Sequence, residues 1–572
     1  MSLHVRLHAA CALVLLLGPA PASARAVPLD AERAAARIVD AWAVQPRDRW
    51  GTPIDPVSGL PGYRYSQAML ASAALGLPAP TAEQRAFAEH LLLWLSAQGP
   101  HTPPSVFEIG AAADAYTRLP PSSRARALLH DWLKTAPARV WIKTPPRNPL
   151  NRWMVEAEGA LARCRIAGLP NRRALCALGR TFVTRTFPAA ARRWTTVGRD
   201  GRRVTVMSDP TDNPIAYHHL TLGYFAHALS RLARVPRAAR RVLVQMARGT
   251  VAITAPDGDA AYWGRSQGTS WTLAFGAYGL RRAQRFTTRA EAARFEHTAQ
   301  SLLSRYRDRH EGGPVGVAIV PAYRDDPLTR HVGLDSYANV ATYAGLTAMA
   351  LSRLARTTPR VPARAAPSTG HAQDRGNGAF ATARARGTWL AVRAHGHRTG
   401  DPRYDFGLVA AKHRTPAGWH DLVASRPAPG ARPAPAGPLL TVGGVTGKPD
   451  GESVAVAANG TVTVRGGWRG PDGAWLRRAS FTFRPTATGV IITLPVRARD
   501  EITYCVFAGD PQLVDGAVVD RGVRTSLSLA SSGTQEPESY ASASDRRLAR
   551  VVLSGVVPSS GVARVVIETA GV

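Results

Sequence analysis

Between residues 30 and 356, apolar residues recur at intervals of three and four, which predicts a series of helices separated by Gly/Pro-rich loops. Six predicted helices are rich in Ala, Gly and Leu and carry little charge after the first turn: 65–77, 106–119, 153–169, 217–232, 271–283 and 337–355. Six others alternate with them and are amphipathic and basic: 30–43, 82–98, 123–135, 171–185, 237–252 and 288–305.

This alternation carries information about the fold. Helices that are apolar nearly all round need cover on both sides, whereas amphipathic helices face water on one side. We therefore predict an α/α toroid of about six helical hairpins that spans residues 27–356. A helical bundle or solenoid would contain the same hairpins and is the alternative.

The pattern changes after the helices. Residues 357–376 are rich in Pro, Arg and Ala without any period and predict a linker. From 377 to 572, short segments with β-branched and aromatic residues alternate with Gly/Asp turns, and no helical pattern intervenes. The prediction is an antiparallel β-sandwich domain, which makes the chain an α+β multidomain protein.

The chain start predicts export. A short basic segment, an apolar run and small residues near Ala24 and Ala26 indicate a signal peptide over 1–26, and hence a secreted or periplasmic protein. We predict no membrane-spanning segment. In an oxidising compartment Cys164 and Cys176, at a helix–turn–helix junction, could form a disulfide, which would leave Cys505 buried in a strand.

The charge of the chain indicates which class of molecule it would bind. The net charge is +32, and lysine occurs only at positions 134, 143, 412 and 448. Such an arginine bias is typical of GC-rich codon usage, but a cationic exported protein still attracts polyanions. We find no nucleic-acid-binding motif. An acidic polysaccharide fits both compartment and charge.

Polar and aromatic groups are concentrated at the heads of the apolar helices, most densely at 208–229. In a toroid these heads converge at one mouth. A Tyr–His–His cluster there suggests acid–base chemistry, although capping and packing of the helix start would use the same residues. The heads contain the following candidates: Tyr63, Arg64, Tyr65, Glu108, Asn148, Asn151, Arg152, Trp153, Asn213, Tyr217, His218, His219, Tyr262, Trp263, Arg265, Gln267, His331, Asp335 and Tyr337.

At this level the chain resembles the heparinase II/III-type and related alginate and hyaluronate polysaccharide lyases. The resemblance covers the architecture of most of the chain, and its motifs are the helix heads NPLNRWMVEAEGALARCRIAG and NPIAYHHLTLGYFAHAL. It implies β-elimination on a uronate-containing chain. Asn151 would engage the uronate carboxylate, and Tyr217 would donate to the leaving oxygen.

The base stays open between Tyr217 and His218. A tyrosine ordinarily titrates near pH 10, so work as a base calls for a neighbouring cation such as Arg265, whereas histidine titrates near neutrality. Trp153 and Trp263 would stack on sugar rings, and Arg64, Arg152 and Arg265 would hold acidic units. The remaining predicted substrate contacts are Tyr65, Asn213, His219, Gln267 and, from the β-domain, His395.

No cofactor is predicted. A metal site built from His395, His397, Asp401 and Asp405 is conceivable but lacks fixed spacing. Two rival functions stay open. A glycoside hydrolase would need a carboxylate pair, for which Glu108, Asp212, Asp259 and Asp335 are candidates. A non-catalytic carbohydrate-binding envelope protein would use the same mouth without turnover.

Overall fold

The structure is a computed structural model. It describes residues 29–56, 58–100, 103, 105–142, 151–198, 200–207, 215–325, 339–365, 370–373, 380–396, 400–428, 434–544, 547–559 and 561–570. The predicted signal peptide, Asn148, Asn213, His331, Asp335, Tyr337 and His397 lie outside these residues.

The helical region closes into a ring of six inner helices. Each packs on the next, and the last packs back on the first. In chain order they are α2 (Arg64–Leu75), α4 (Val106–Tyr116), α6 (Asn151–Arg163), α9 (Ile215–Ser230), α11 (Ser270–Ala283) and α14 (Val340–Ala355). This ring is the predicted α/α toroid.

Outer helices cover the ring from outside: α1 (Ala31–Ala43), α3 (Ala82–Ala97), α5 (Arg124–Thr135), α7 (Arg172–Thr181), α10 (Arg237–Ile253) and α12 (Arg289–His310). Helix α7 continues as a π-helical turn, Phe182–Thr186, and then as the short α8 (Phe187–Ala190). The disulfide between Cys164 and Cys176, whose Cα atoms lie 5.2 Å apart, ties α7 to the end of α6, as predicted. A further short helix is α13 (Pro321–Asp325).

Glycines allow the inner helices to pack closely. A Cβ on Gly159 of α6 would lie 2.9 Å from the Cα of Gly110 on α4. A Cβ on Gly223 of α9 would lie 2.4 Å from the Phe275 ring of α11. Both distances are shorter than real carbon contacts, so a side chain at either position would push neighbouring helices apart. The Gly-rich inner helices are therefore needed for ring closure.

At their C-terminal ends the inner helices bury a charged cluster. Arg231 donates from Nη2 to Asp114 Oδ1 (2.6 Å) and from Nε to Glu158 Oε1 (2.7 Å). Arg118 donates to Asp114 Oδ2 (2.7 Å), and Arg353 lies 3.6 Å from the same oxygen. Burial alone would raise the pKa of Asp114, but Arg118, Arg231 and Arg353 outweigh it and hold that pKa well below its usual value. Arginines therefore balance the buried carboxylates.

The C-terminal region is built from antiparallel sheets. A five-stranded sheet has the order β3-β4-β5-β6-β7, and a twelve-stranded sheet has the order β14-β15-β16-β19-β12-β11-β10-β9-β8-β13-β18-β17. The first sheet consists of β3 (His371–Gln373), β4 (Phe380–Ala385), β5 (Thr388–Arg393), β6 (Gly407–Thr415) and β7 (Gly418–Asp421).

The second sheet consists of β8 (Gly437–Val442), β9 (Val445–Val456), β10 (Val462–Arg469), β11 (Trp475–Pro485), β12 (Gly489–Pro495), β13 (Glu501–Ala508), β14 (Gln512–Val514), β15 (Ala517–Asp520), β16 (Val523–Leu527), β17 (Ser532–Tyr540), β18 (Leu548–Val556) and β19 (Val562–Thr569). Cys505 is buried in β13, as predicted. A hairpin of β1 (Thr195–Val197) and β2 (Arg203–Thr205) inside the helical region was not predicted.

The five-stranded sheet is a middle layer. All six residues of β5 are buried: Leu390 and Val392 face the core shared with the twelve-stranded sheet, and Trp389 and Ala391 pack with Tyr262 from the toroid. The α+β architecture is therefore confirmed. The domain boundaries at residues 26, 356 and 376 stay predictions. None of the described helices is both long and apolar enough to cross a membrane.

The charged cluster leads to a stability prediction. Replacing Arg231 by Met leaves Asp114 and Glu158 without their shared cation, so the free energy of unfolding should fall by about 3–5 kcal/mol in urea titrations followed by circular dichroism. The control Arg234→Met removes an exposed arginine nearby and should change that free energy by less than about 0.5 kcal/mol. Equal losses in both variants would contradict this account of the cluster.

Candidate active site

The mouth of the toroid is formed by the first turns of the inner helices. Within Ile215–Leu229 of α9, every residue except Tyr217 is buried. On neighbouring helices, the first-turn residues that escape full burial are Arg64, Tyr65, Phe107, Arg152 and Trp153. The first-turn residues that are not fully buried therefore lie at the end of the ring where the sequence predicted a mouth.

A chain of hydroxyl groups crosses this mouth. The Tyr217 hydroxyl lies 3.2 Å from Ser266 Oγ, which lies 3.1 Å from the hydroxyl of Tyr343 on α14. The Trp271 ring lies 5.9 Å from the Tyr217 ring and 5.8 Å from the Tyr343 ring. Three chain segments distant in sequence thus place connected proton donors and acceptors together.

The backbone at Ser266 has an unusual conformation. It has φ 59°, in the left-handed region that non-glycine residues seldom adopt, and it lies between Gly264 (φ 78°) and Gly268 (φ 64°). Such strain costs about 1–2 kcal/mol and is concentrated at functional sites. The adjacent Arg265 places its guanidinium carbon 5.4 Å from the centroid of the Tyr217 ring.

The β-domain supports Arg265. The backbone N–H of Arg265 donates to the hydroxyl oxygen of Tyr404 (2.8 Å), and the Tyr404 carbonyl accepts from Arg393 Nε (2.7 Å). Burial raises the pKa of Tyr404 to about 12, so its hydroxyl keeps its proton at neutral pH.

The rim beside Tyr217 is aromatic and basic. Tyr63 stacks on Tyr65 with ring centroids 5.3 Å apart, and the Arg152 guanidinium carbon lies 4.9 Å from the Trp141 ring centroid. Burial raises the pKa of Tyr65 well above its usual value, so this phenol stays neutral. Asn151, the first residue of α6, is buried at the same end of the ring.

The two histidines next to Tyr217 do not reach the mouth, contrary to expectation. Both are 0 % exposed. His218 Nδ1 accepts from the Met207 N–H (3.1 Å), so Nε2 carries the proton and faces Thr250 Oγ1 (3.2 Å). Burial lowers the pKa of His218 to about 3, and it lowers the pKa of His219 well below its usual value. This placement argues against His218 as base and His219 as a substrate contact.

Two further predicted substrate contacts are also turned away. Trp263 is fully buried and stacks on Phe380 of the β-domain, with centroids 5.2 Å apart. Gln267 is buried and donates to the Tyr262 carbonyl (3.1 Å). Both expectations are corrected: these side chains hold the joint between the domains because the loop before α11 runs beneath the five-stranded sheet.

His395 lies in the β-domain beside Asp450, with Nδ1 3.6 Å from Oδ1. The other described members of the conceivable metal set bind elsewhere. Asp401 accepts from Arg403 Nη2 (2.6 Å), and Asp405 accepts from the Ala436 N–H (2.9 Å). With these contacts, the described members of that set do not surround a common position for a metal ion.

The sequence interpretation missed Ser266, Tyr343 and Trp271. For Tyr343 a signal existed, because Asn339 is a good N-cap residue and its side chain accepts from the Thr342 N–H (3.2 Å). That cap starts α14 later than the predicted residue 337 and brings Tyr343 into its first turns. Ser266 had no such signal, since its loop has no period.

Comparison with known proteins gives fold-level matches only. No family model matches the chain, and no curated protein matches its sequence. The structure of heparinase III has a TM-score of 0.54 at 9% identity, with 96% of this chain and 86% of that chain covered. Two others match less closely in three dimensions. For the Streptomyces coelicolor A3 chondroitin AC lyase in complex with chondroitin sulphate, the TM-score is 0.49 at 15% identity, with 95% and 79% covered.

For a mutant of the heparan sulfate lyase HepC from Pedobacter heparinus, the TM-score is 0.42 at 11% identity, with 95% of this chain and 88% of that chain covered. The match to heparinase III spans both domains. The toroid and the sheet domain together therefore share the fold of heparinase III.

The buried histidines predict a pH dependence of stability. Burial lowers the pKa of His218 to about 3 and those of His227 and His371 to about 4. The unfolded chain then binds more protons below pH ~6.5, so stability is full above that pH and falls as the pH drops toward 4, by up to ~1.4 kcal/mol per pH unit per histidine.

Urea unfolding at pH 7, 6 and 5 measures this slope. His218→Asn should reduce it by about one proton's contribution, whereas the control His420→Asn, at a half-exposed position, should keep the parent's slope. An unchanged slope in His218→Asn would show that this histidine exchanges protons freely in the folded protein.

Proposed function

We propose that this chain is a polysaccharide lyase that cleaves a uronate-containing acidic polysaccharide by β-elimination at the toroid mouth. The proposal includes export, to the periplasm or beyond the cell, because polysaccharides of this kind lie outside the cytoplasm. The observation that carries it is Tyr217. It is the one residue of Ile215–Leu229 that is not buried, and its hydroxyl is linked through Ser266 to Tyr343.

The reaction removes the proton alpha to the uronate carboxylate and expels the glycosidic oxygen. We assign both proton transfers to Tyr217: its phenolate takes the alpha proton, and the phenol returns a proton to the leaving oxygen. Ser266 donates a hydrogen bond to the phenolate, and Tyr343 donates to Ser266 in turn. Donors already aimed at an oxygen stabilise negative charge on it without reorganisation.

Asn151 is the proposed carboxylate ligand. Its amide would hydrogen-bond the uronate carboxylate and the enediolate that forms from it. Arg265, next to Tyr217, adds a cation on the same side. Arg64, Tyr65, Arg152 and Trp153 are the proposed contacts for neighbouring sugar units, and His395 is kept as a contact from the β-domain. His218, His219, Trp263 and Gln267 have no role in this proposal.

The geometry favours elimination over hydrolysis. A glycosidase needs two carboxylates across the cleft. Glu108 is fully buried and lies 3.8 Å from Arg64, and Asp259 lies 3.5 Å from Arg305 beside the β-domain. Asp212 and Asp335 lie outside the described residues. Hydroxyl groups rather than carboxylates therefore dominate the described part of the mouth.

Tyr217→Phe tests the proposal. Turnover of an acidic polysaccharide panel, followed by the near-ultraviolet absorbance of the unsaturated product, should fall by about 100- to 10 000-fold, because a proton-transfer group is lost. Binding of the same polysaccharide, measured by calorimetry, should change little. His218→Asn should keep the catalytic rate within about threefold, since its ring does not reach the mouth.

A matched control is Tyr116→Phe, which removes a half-buried phenol at the other end of α4 and should leave turnover unchanged. Reducing ends produced by the parent without ultraviolet absorbance would establish a hydrolase instead. Binding without turnover of any acidic polysaccharide would establish a carbohydrate-binding protein.

Asn151→Asp tests the carboxylate ligand. The new carboxylate would face the uronate carboxylate, so kcat/KM should fall at least about 100-fold, and a neutral Asn151→Ala should lose less. Both variants need a circular dichroism check of folding because Asn151 is buried. Equal kcat/KM in Asn151→Asp and the parent would remove Asn151 from the site.

A further inference from the structure

A second groove of about 760 Å³ lies on the outside of the toroid, against the β-domain. It is lined by the π-helical turn after α7, the β1–β2 hairpin and α10, together with Ala372 and Val454 of the sheets. None of the mouth residues lines it. We propose that this groove is an exosite that binds a second stretch of the acidic polysaccharide, an inference that rests on the proposed function.

The groove is positively charged, and no acidic side chain among its described lining residues balances that charge. Arg185, Arg192, Arg203 and Arg241 line it, and no Asp or Glu is among the described residues that do. All four arginines are exposed, and none forms an ion pair with a described carboxylate. The turn between β1 and β2 contains Asp200, whose Oδ2 lies 3.8 Å from Arg202 Nε, and Glu291 is held by Arg248 (Nε to Oε1, 2.6 Å).

The sequence explains this excess of positive charge. Between residues 171 and 199 there are seven arginines and no acidic residue, and 213–256 also lacks Asp and Glu. At the buried end of the toroid, by contrast, Arg231 and Arg353 lie against the carboxylates of Asp114 and Glu158. The groove arginines are therefore available for an anion from outside.

The groove also contains unsatisfied polar groups. Gln245 is only 6 % exposed, and its side-chain amide has no hydrogen-bond partner among the described residues. Thr196 Oγ1 is buried and likewise lacks a partner there. The Gln245 amide therefore offers a ligand oxygen atom or hydroxyl group a hydrogen-bonding partner that no intramolecular bond occupies.

The groove is long enough for a chain molecule. It continues through Thr184 and Arg185 into a neighbouring groove of about 740 Å³ that adds Arg172, Arg173 and Arg180. Arg173 and Arg180 are seven residues apart on one helix, which at the α-helical rise places them ~10.5 Å apart along the axis. This spacing is comparable to that between acidic groups carried once per disaccharide on an extended polysaccharide.

The side chains favour carboxylate or sulfate groups on sugars over nucleic acid. Guanidinium groups bind such anions through two parallel hydrogen bonds. Single-stranded nucleic acids are usually bound on aromatic stacking platforms, and no aromatic residue is among the described residues that line either groove.

The test uses the full-length protein with Tyr217→Phe, so that substrate is not consumed. Binding of a long sulfated glycosaminoglycan, a long polyuronate, the tetrasaccharide of each and single-stranded DNA is measured for this protein and for the triple variant Arg185→Gln, Arg192→Gln, Arg241→Gln. The control triple is Arg85→Gln, Arg124→Gln, Arg285→Gln, which removes the same charge from exposed sites elsewhere.

We expect the groove triple to raise the Kd of at least one long polysaccharide at least about tenfold and to reduce the salt dependence of log K by about two, since three anion contacts are lost. The control triple should change that Kd less than about twofold. Gln245→Leu should weaken long-chain binding about threefold without lowering Tm, because no intramolecular bond is lost.

Other outcomes overturn the exosite. If both triple variants weaken polysaccharide binding equally, the polysaccharide is attracted by the overall charge of the protein only. If single-stranded DNA binds the groove more tightly than any polysaccharide does, the groove serves another ligand. The lyase proposal is judged separately, on Tyr217-containing protein. If polysaccharide binding depends on the groove arginines but no unsaturated product forms, the exosite proposal stands and the lyase proposal is rejected. If unsaturated product forms but binding does not depend on the groove arginines, the lyase proposal stands and the exosite proposal is rejected.

Discussion

Closure of the inner helix ring is the constraint on which the rest of this structure depends. An outer helix returns the chain between each inner helix and the next, so the inner helices run in the same direction and their N-termini lie at one end. A Cβ on Gly159 or on Gly223 would approach the neighbouring inner helix too closely, so these glycines keep the ring narrow. Only a narrow ring lets Tyr217 and Tyr343 share Ser266 as a hydrogen-bonding partner.

Ring closure also makes the two ends chemically different. Helix N-termini carry partial positive charge and unpaired N–H groups, whereas C-termini carry partial negative charge. Arg231 and Arg353 lie at the C-terminal end, where cations are favoured, and they neutralise Asp114 and Glu158 there. Six N-termini converge at the mouth, where an anionic substrate and a developing enediolate would be favoured. The polarity of the ring alone would therefore favour an anionic group at the N-terminal end over the C-terminal end.

The sequence was sufficient to predict the helices, but it was insufficient to predict in which direction individual side chains point. The alternation of apolar and amphipathic segments predicted the six inner and six outer helices because burial on one or two sides leaves a periodic pattern. Within the first turn of a helix, however, the side chains of successive residues point in directions about 100° apart. Tyr217 faces the mouth, whereas His218 faces Thr250 of α10 and His219 faces Gly276 of α11. Trp263, Ser266 and Gln267 lie in a loop without a period, so their neighbours depended on the tertiary fold.

The β-domain participates in the site because its inner sheet is buried on both faces. The segment TWLAVR of β5 does not alternate in polarity, which is typical of a strand covered on both sides. One cover is the sandwich core, and the other is the toroid loop that carries Tyr262, Trp263 and Arg265. The stacking of Trp263 on Phe380 and the bond from Arg265 to Tyr404 fix that loop from the β-domain side. The cation beside Tyr217 is therefore positioned by the second domain, and a toroid separated from its sheets would keep Tyr217 but lose the support that holds Arg265 against it.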